Sequence, residues 1–235
     1  MTNKQGKKEN VRTMFNNIAG KYDFLNHFLS AGIDYLWRRR VARIIRRENP
    51  KTILDVATGT GDLAIELAKK SKARITGIDI AQGMLDIGQQ KLKAKGLENQ
   101  ISLRLADSEK LPFSDNSFDV AMVAFGVRNF EDLDRGLSEM LRVIRLGGMI
   151  VVLEFSKPTA FPVKQLYSFY FRFILPRLGK IISQDDSAYT YLPESVGQFP
   201  DGKLFLDRLE KAGFIQTRQD RRSFGVATIY VAHKR

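Results

Sequence analysis

Two glycines and an acid carry the spacing with the clearest chemical meaning in this chain. The run Ile53-Leu-Asp-Val-Ala-Thr-Gly-Thr-Gly-Asp62 precedes a second apolar run, which ends at Asp79. Gly59 and Gly61 allow a tight turn and a close backbone approach to a ligand, and an acid at the end of the next strand can accept hydrogen bonds from ribose hydroxyls. The pattern predicts half of an α/β nucleotide-binding unit and an adenosine cofactor.

Two further acids bear on which adenosine cofactor this is. The spacing Gly59-x-Gly61-x-x-Ala64 with a later acid also fits the dinucleotide fingerprint. Asp55, however, stands at the end of the first strand, where a carboxylate can face a cationic amino acid group. Asp62 lies inside the turn, although a pyrophosphate requires an uncluttered helix N-terminus. Both acids favour S-adenosylmethionine over NAD.

The composition excludes several kinds of chemistry. The chain has 235 residues, of which 43% are hydrophobic and 27% charged, as expected for one large α/β domain. It contains no cysteine, which excludes disulfides, thiolate metal sites and a cysteine nucleophile, and its two histidines argue against a metal centre. An acceptor carbon must therefore be activated without a covalent thiolate adduct.

The charge balance indicates an anionic partner. The net charge is +12 at pH 7, which suits nucleic acid or an anionic membrane, the alternative being a basic surface without such a role. Basic residues interleave with apolar and aromatic ones in residues 34–47 and 161–182, a mixture that suits a membrane interface better than base reading. With neither a signal peptide core nor a spanning segment, we expect a cytoplasmic protein at the inner face of the membrane, without nucleic acid, and leave a homodimer open.

Helices and strands are predicted to alternate through most of the chain. Residues 1–50 should form an N-terminal helical cap, with a frayed polar start and helices at 11–28 and 34–47. In the core, residues 51–156, we predict strands at 52–56, 74–79, 101–105, 118–125 and 149–155, and helices at 62–70, 83–95 and 132–145. Residues 157–200 should form a substrate lid, and residues 201–235 a helix at 202–212 and antiparallel strands at 215–221 and 226–233.

This alternation predicts a doubly wound, mostly parallel sheet. Ligands bind such sheets at the carboxyl ends of the strands, near the point where the strand order reverses. Asp55, Asp79, Asp107 and residues 125–129 should therefore converge on one crevice.

Sequence blocks covering nearly the whole chain from about Val11 match known patterns. The general blocks, which resemble the class I S-adenosylmethionine-dependent methyltransferases, are Asp55-Val-Ala-Thr-Gly-Thr-Gly61, Asp79, Asp107, Leu111-Pro-Phe113 and Arg142-Val-Ile-Arg-Leu-Gly-Gly148. The narrower blocks, which resemble the ubiquinone/menaquinone biosynthesis C-methyltransferase family, are residues 15–32, Phe125-Gly-Val-Arg-Asn129, Leu153-Glu-Phe-Ser-Lys-Pro158 and Ser187-Ala-Tyr-Thr-Tyr-Leu-Pro-Glu-Ser195. The resemblance implies a single domain with a seven-stranded sheet, and methylation of a ring carbon of a prenylated hydroquinone.

For the cofactor, the predicted roles follow the strand ends. Asp79 is assigned to the ribose hydroxyls and Gly59, Thr60 and Gly61 to backbone contact with the amino acid part. Asp107 and Ser108 are assigned to the adenine side. Asp55 should orient the ammonium group or the glycine turn; a helix cap or solvated turn is the alternative for each acid. Thr58, where relatives often carry glycine, requires a compatible backbone angle, and Ala124 replaces a serine of many relatives.

For the acceptor, Arg128 and Asn129 follow the fourth strand and should face the crevice. Arg128 stays charged, so we expect it to position a phenolate or a water molecule, the alternative being a structural ion pair, for instance with Glu131 or Asp132. Candidates for proton transfer in the cap are Tyr22, Asp23 and His27, although a lone histidine is more often packed or exposed. Tyr189 and Tyr191 are candidates for the quinol pocket, with core packing as the alternative.

Two rival functions remain at this level. A methyltransferase for RNA or a soluble small molecule also fits the basic charge. A lipid-binding module that keeps the fold without catalysis also fits the aromatic, basic segment at 161–182.

Overall fold

Seven strands form one sheet in the computed structural model, which describes residues 6–29, 32–170, 173 and 187–235, without the side chains of residues 21, 24–29 and 187–190. The strands are β1 (Thr52–Val56), β2 (Arg74–Asp79), β3 (Ile101–Leu105), β4 (Phe118–Ala124), β5 (Ile144–Phe155), β6 (Phe214–Arg222) and β7 (Ala227–Lys234). Their spatial order is β3-β2-β1-β4-β5-β7-β6, and β7 runs antiparallel to both neighbours. The order reverses between β1 and β4, where the fold places its ligand crevice.

Helices cover both faces of this sheet. They are α1 (Lys7–Leu29), α2 (Ile33–Arg47), α3 (Asp62–Ala68), α4 (Gln82–Lys95), α5 (Leu133–Val143), α6 (Val163–Phe169), α7 (Ser187–Gln198) and α8 (Lys203–Ala212). One core cluster joins α2 and α3 to the sheet, and a second joins α5 and α8 to its other face. Because helices lie on both sides, the central strands are apolar on both faces, as in the continuously buried run at 118–123 of β4.

The predicted fold class and the seven strands are confirmed, and the differences lie at element ends. The polar start was predicted to fray, and its residues 1–5 lie outside the described residues. From Lys7 on it is helical instead, because Lys7 Nζ donates to the backbone oxygen of Phe130 at 2.5 Å and Lys8 Nζ to Asp107 at 2.8 Å. β5 begins at Ile144, earlier than the predicted strand and within the helix predicted at 132–145. The prediction missed this start because Ile144 is buried but the next three residues, 145–147, are exposed and lack the apolar pattern of a buried strand. Within the described helices, none is long and apolar enough to cross a bilayer.

Candidate functional site

Two neighbouring cavities lie at the carboxyl edge of the sheet, and we call them the large and the small compartment. The large compartment lies between α1, the end of β2 and the turn after β4, and is lined among others by Phe15, Tyr22, Gly59, Asp79, Met84, Asp107, Ser108, Phe125, Asn129 and Phe130. The small compartment lies beside the glycine turn and is lined among others by Tyr22, Arg38, Asp55, Gly59, Thr60 and Asp62. Tyr22, Ala57, Gly59 and Ala124 line both, so the two compartments adjoin at these residues and form one cleft.

The glycine turn takes its shape from left-handed backbone angles. Ala57, Gly59 and Gly61 have φ values of 51°, 59° and 82°. Thr58 avoids this region, and its hydroxyl donates to Asp55 Oδ2 at 2.6 Å. A Cβ atom on Gly77 would lie 2.9 Å from that hydroxyl, so a residue without a side chain on β2 makes room for Thr58. The backbone angles, as expected, accommodate Thr58 in the turn.

Asp79 closes the large compartment at the end of β2. Its Oδ2 accepts from the Gly59 backbone N–H at 2.9 Å, and its Oδ1 accepts from that of Ala81 at 2.9 Å. Desolvation raises the pKa of Asp79, and these two N–H groups oppose the rise. Each carboxylate oxygen has a second lone pair, so Asp79 can hold the turn and still accept from hydroxyl groups in the cleft.

The small compartment combines a buried acid with a buried guanidinium. Burial raises the pKa of Asp55 to about 7, while the Thr58 hydroxyl and the charge of Arg38 oppose the rise. Arg38 forms an ion pair with Asp34 one turn earlier on α2 and lies over the Phe125 ring, 5.5 Å from its centroid. The sequence indicated a basic helix here but did not single out Arg38 as a site residue. The available signal was the spacing of Asp34 and Arg38 around buried Trp37.

A polar cluster joins the N-terminal cap to the glycine turn. The Thr60 hydroxyl donates to Asp23 Oδ1 at 2.6 Å. Lys91 Nζ on α4 donates to Asp23 Oδ2 at 2.8 Å and to Thr60 Oγ1 at 3.0 Å, and it also pairs with Asp62. The negative charge of Asp62 in the glycine turn is therefore paired with Lys91. Lys91 was missed at the sequence level, because no local pattern relates α4 to α1.

The far end of the large compartment holds Asp107 and Ser108. Lys8 donates to Asp107 Oδ2 at 2.8 Å, and the backbone N–H of Glu109 donates to Oδ1 at 2.9 Å. Asp107 thus belongs to a turn and an ion pair and also lines the cleft beside Ser108, which is buried. The helix α1 closes this end of the cleft through Lys8.

Arg128 has a different ion-pair partner from the ones that the sequence suggested. Its Nη1 donates to Glu154 Oε1 at 2.7 Å and to the Phe125 backbone oxygen at 2.6 Å, while Nε donates to Ser195 Oγ at 3.3 Å. Glu131 and Asp132 were therefore wrong as proposed partners; β5 presents Glu154 directly behind the turn. Arg128 lies on the α7 side of this turn and is not among the residues that line the large compartment.

Asn129 connects the cleft to the lid. It lines the large compartment, and its Oδ1 accepts from the Tyr191 hydroxyl of α7 at 3.0 Å. Tyr191 also borders an open cleft between α1 and α7, whose other lining residues are Lys7, Asn10, Val11, Thr13, Met14 and Asn17. Val11 is shared with the large compartment. The candidate side chains of His27 and Tyr189 lie outside the described residues.

No group of histidines and acids in the described ranges has the arrangement of a metal site.

Sequence comparison relates the chain to one family along its whole length. The profile of the ubiE/COQ5 methyltransferase family matches residues 1–234. A demethylmenaquinone methyltransferase of Bacteroides fragilis is 46% identical over 229 residues, covering 97% of this chain and 94% of the relative. A ubiquinone/menaquinone biosynthesis C-methyltransferase UbiE of Geobacter sulfurreducens is 44% identical over 230 residues, covering 97% of this chain and 90% of the relative.

Solved structures share the fold at low sequence identity. A possible histamine N-methyltransferase of Thermotoga maritima, described as S-adenosylmethionine-dependent, superimposes with a TM-score of 0.67 at 17% identity, over 95% of this chain and 99% of that one. Phosphoethanolamine N-methyltransferase 2 of Haemonchus contortus, in complex with S-adenosylmethionine, gives a TM-score of 0.59 at 13% identity, over 78% of this chain and 48% of that one. These likenesses establish the class I methyltransferase fold and nothing finer.

Proposed function

The chain belongs to the ubiE/COQ5 methyltransferase family, and from this membership we propose that it converts demethylmenaquinol to menaquinol in menaquinone biosynthesis. It is an S-adenosylmethionine-dependent C-methyltransferase, and relatives of similar length carry this activity in their names. The observation that carries the proposal is the cleft with two compartments. Its two compartments differ in chemistry in the way that the two ends of the cofactor do, and they meet at Tyr22.

The residues of the cleft fit S-adenosylmethionine. In the large compartment, Asp79 can accept from ribose hydroxyls and the apolar side chains of Phe15 and Met84 can flank a flat ring. In the small compartment, Asp55 and Arg38 complement the ammonium and the carboxylate of an amino acid. This division supports the predicted roles of Asp79 and Asp55. We assign Asp107 and Ser108 to the adenine side, as predicted, and add Arg38 as a partner of the cofactor carboxylate.

The acceptor supplies its own activation. S-adenosylmethionine carries an electrophilic methyl group, and a hydroquinone that loses a phenolic proton pushes negative charge onto the neighbouring ring carbon. Such a carbon can attack without a cysteine adduct, consistent with a chain that has no cysteine. What the protein must add is alignment, exclusion of water and stabilisation of the phenolate.

We assign these tasks to residues around the Asn129 turn. The cleft between α1 and α7 is bordered by Tyr191, which contacts Asn129, and it includes the apolar side chains of Val11 and Met14 among polar ones. We assign the ring and its prenyl substituent to this cleft. Tyr191 and Asn129 are assigned to the ring oxygens, and Tyr22 to the reacting end of the cofactor. Arg128 serves as a positioning residue that holds the turn before Asn129 against β5 and α7, since its donors bind Glu154, Phe125 and Ser195. His27 stays a candidate base.

Quinone analysis tests the function directly. Cells that lack this protein should accumulate demethylmenaquinone, measured by mass spectrometry of extracted lipids. The purified protein should methylate demethylmenaquinol in detergent, and a parallel assay with a demethylated ubiquinol-type ring would define ring specificity. An unchanged quinone profile together with an inactive, folded, cofactor-binding protein would contradict the proposal.

We also propose reversible binding to the inner face of the membrane, where a prenylated quinol resides. Exposed apolar side chains of α6 and its flanks, Phe161, Leu166 and Phe169, support this, with Lys164 beside them. The other two basic residues predicted to bind the membrane, Arg172 and Arg177, lie outside the described residues. Co-sedimentation with anionic vesicles should exceed that with neutral vesicles and weaken as salt rises.

Charge reversal at Lys164, Arg172 and Arg177 should reduce sedimentation and activity on a long-tailed quinol but spare a short-tailed analogue. Equal loss on both substrates would assign the segment to the catalytic fold. Whether the protein forms a homodimer can be tested by analytical ultracentrifugation.

A further inference from the structure

Two phenylalanines are the most exposed large apolar side chains of the described residues. Phe161 is 82% exposed and Phe224 is 83% exposed. Phe161 follows β5 after a short loop, and Phe224 lies in the turn Ser223–Gly225 that joins β6 to β7. Because β7 is antiparallel to both β5 and β6, these two strands point the same way and end at the edge of the sheet that carries the cofactor cleft. Both side chains therefore stand at the edge where the acceptor must arrive.

Two side-chain hydrogen bonds fix the turn that carries Phe224. Trp37 Nε1 donates to Ser223 Oγ at 3.0 Å, and Ser156 Oγ donates to the Gly225 backbone oxygen at 2.8 Å. Phe224 itself has φ 57° and ψ 25°, a left-handed conformation that is strained for a bulky residue. The fold thus maintains a strained backbone that keeps an aromatic ring in water, a combination typical of a contact surface.

The loop after β5 that carries Phe161 contacts the turn that carries Phe224. Arg221 Nη1 donates to Thr159 Oγ1 at 3.5 Å, and a Cβ atom on Gly225 would lie 3.5 Å from the Cα atom of Pro158. Phe161 follows two residues after Thr159, so the two phenylalanines stand on adjoining loops. Leu36, which precedes the Trp37 that binds the turn, is also exposed. We call Phe161 and Phe224 the apolar tip.

The surface beside the apolar tip is basic. The strand β6, which forms an edge of the sheet, carries Arg218, Arg221 and Arg222 and one acid, Asp220. Arg40 of α2 shares that acid with Arg222, at 3.2 Å from Asp220 Oδ2. The arginines of this edge therefore outnumber its carboxylate, and their charge complements a surface of phosphate groups. Exposed apolar side chains rimmed by arginine are the chemistry of an anionic membrane interface.

We infer that the apolar tip inserts into the headgroup region of an anionic bilayer while the arginines of β6 bind lipid phosphates. This inference rests on the proposed function, because a prenylated acceptor is reached at the bilayer. It goes beyond the aromatic segment at residues 161–182 by assigning the principal contact to the β6–β7 turn. The cleft would then face the membrane from which the quinol enters.

The test compares three alanine variants by co-sedimentation with vesicles of phosphatidylcholine and phosphatidylserine. Phe224→Ala should weaken binding by about tenfold, since burying a phenylalanine contributes on the order of 1.5 kcal/mol or more. Phe161→Ala should also weaken it. The matched control is Leu146→Ala: Leu146 is 70% exposed but lies near the start of β5, at the opposite edge of the sheet. This control should bind as the unmodified protein does.

A spectroscopic variant reports insertion itself. The single tryptophan, Trp37, is buried, so the unmodified protein should show little quenching by brominated lipids. Phe224→Trp should be quenched in anionic vesicles and not in neutral ones. Unchanged vesicle binding of Phe224→Ala, or equal loss in Leu146→Ala, would overturn the inference.

Two further measurements separate this inference from its alternatives. If Phe224→Ala converts a dimer to a monomer in sedimentation velocity and leaves vesicle binding intact, the turn is an interface between copies and the inference is wrong. All variants should methylate a short-tailed demethylmenaquinol analogue in solution at the normal rate. Failure of the unmodified protein on that analogue would contradict the proposed function, whereas the vesicle results would still decide the membrane contact.

Discussion

Arg128 and Glu154 form an ion pair of 2.7 Å whose two side chains are almost closed to solvent, with 7% and 0% of their surfaces exposed. Burial raises the pKa of Glu154, and the charge of Arg128 opposes the rise. The pair ties the turn after β4 to β5 and leaves Asn129 facing the cleft. A buried pair of this kind is sensitive to the loss of either member, because the remaining charge stays in a poorly solvated place.

Arg128→Ala should lower the free energy of unfolding by about 3 to 5 kcal/mol, since it leaves the Glu154 carboxylate without its cation. Urea denaturation measures this loss. The matched control is Arg208→Ala, which breaks a largely exposed pair with Asp134 and should cost about 0 to 1 kcal/mol. Similar losses for both variants would show that Glu154 is accommodated without Arg128.

Where Arg128→Ala remains folded, turnover should fall while the affinity for S-adenosylmethionine changes little, because Arg128 acts on the acceptor side. Arg128→Lys should restore turnover only in part, since an ammonium cannot reproduce the planar contacts to Glu154 and Ser195. Steady-state kinetics and calorimetry separate the two effects. A normal rate for the alanine variant would move the positioning role to Asn129, Tyr22 and His27.

Asp79→Ala should weaken S-adenosylmethionine binding by about 1.5 to 3 kcal/mol, because it removes a charged acceptor for hydroxyl groups and frees the N–H of Gly59. Isothermal calorimetry gives the affinity. Asp86→Ala, on the exposed part of α4, serves as the control and should bind normally. Unchanged affinity in a folded Asp79→Ala protein would remove Asp79 from the site.

The stability of the protein without cofactor should fall as pH rises from about 4 to about 7. The pKa of Asp55 lies near 7 in the fold, above its ordinary value of 3.8, so between these values the folded protein holds a proton that the unfolded chain has released. Raising the pH removes this proton and leaves a buried charge. Denaturation across this range should show a shallower slope for Asp55→Asn. An identical slope would mean that Asp55 is not the group that titrates.

Tyr191→Phe should raise the KM for the quinol while the cofactor affinity stays constant. The substitution deletes the hydroxyl that donates to Asn129 at 3.0 Å and preserves the ring. Asn129→Ala should have a similar effect, and the double variant should add little, because both remove one interaction. Fully additive losses would show that the two residues act independently.

Lys91→Met should loosen the N-terminal cap, because Asp23 and Asp62 would then face each other without the shared cation. Hydrogen exchange of α1 should accelerate, and cofactor affinity should fall with it, since Tyr22 beside Asp23 lines the cleft. Lys93→Ala, exposed on the same helix, is the control. Unchanged exchange in α1 would show that other contacts hold the cap.

The features that the sequence predicts are those that depend on neighbouring residues. The run from Ile53 to Asp62 predicts strand, turn and helix because apolar periodicity and glycine angles act over a few positions. Asp55 and Asp79 were placed at strand ends by the same local pattern, and the structure brings them to one cleft. The basic, aromatic composition suggests a membrane partner, which stays a proposal.

What only the tertiary structure decided is which distant charges meet. Arg128 lies 26 positions from Glu154, and Lys91 lies 68 positions from Asp23. No periodicity within an element relates such residues, because their distance depends on strand order and on how α1 crosses the sheet edge. For the same reason, the sequence does not show that Ser223 is fixed by Trp37 or that Phe224 beside it is exposed. Both depend on the packing of α2 against the turn between β6 and β7.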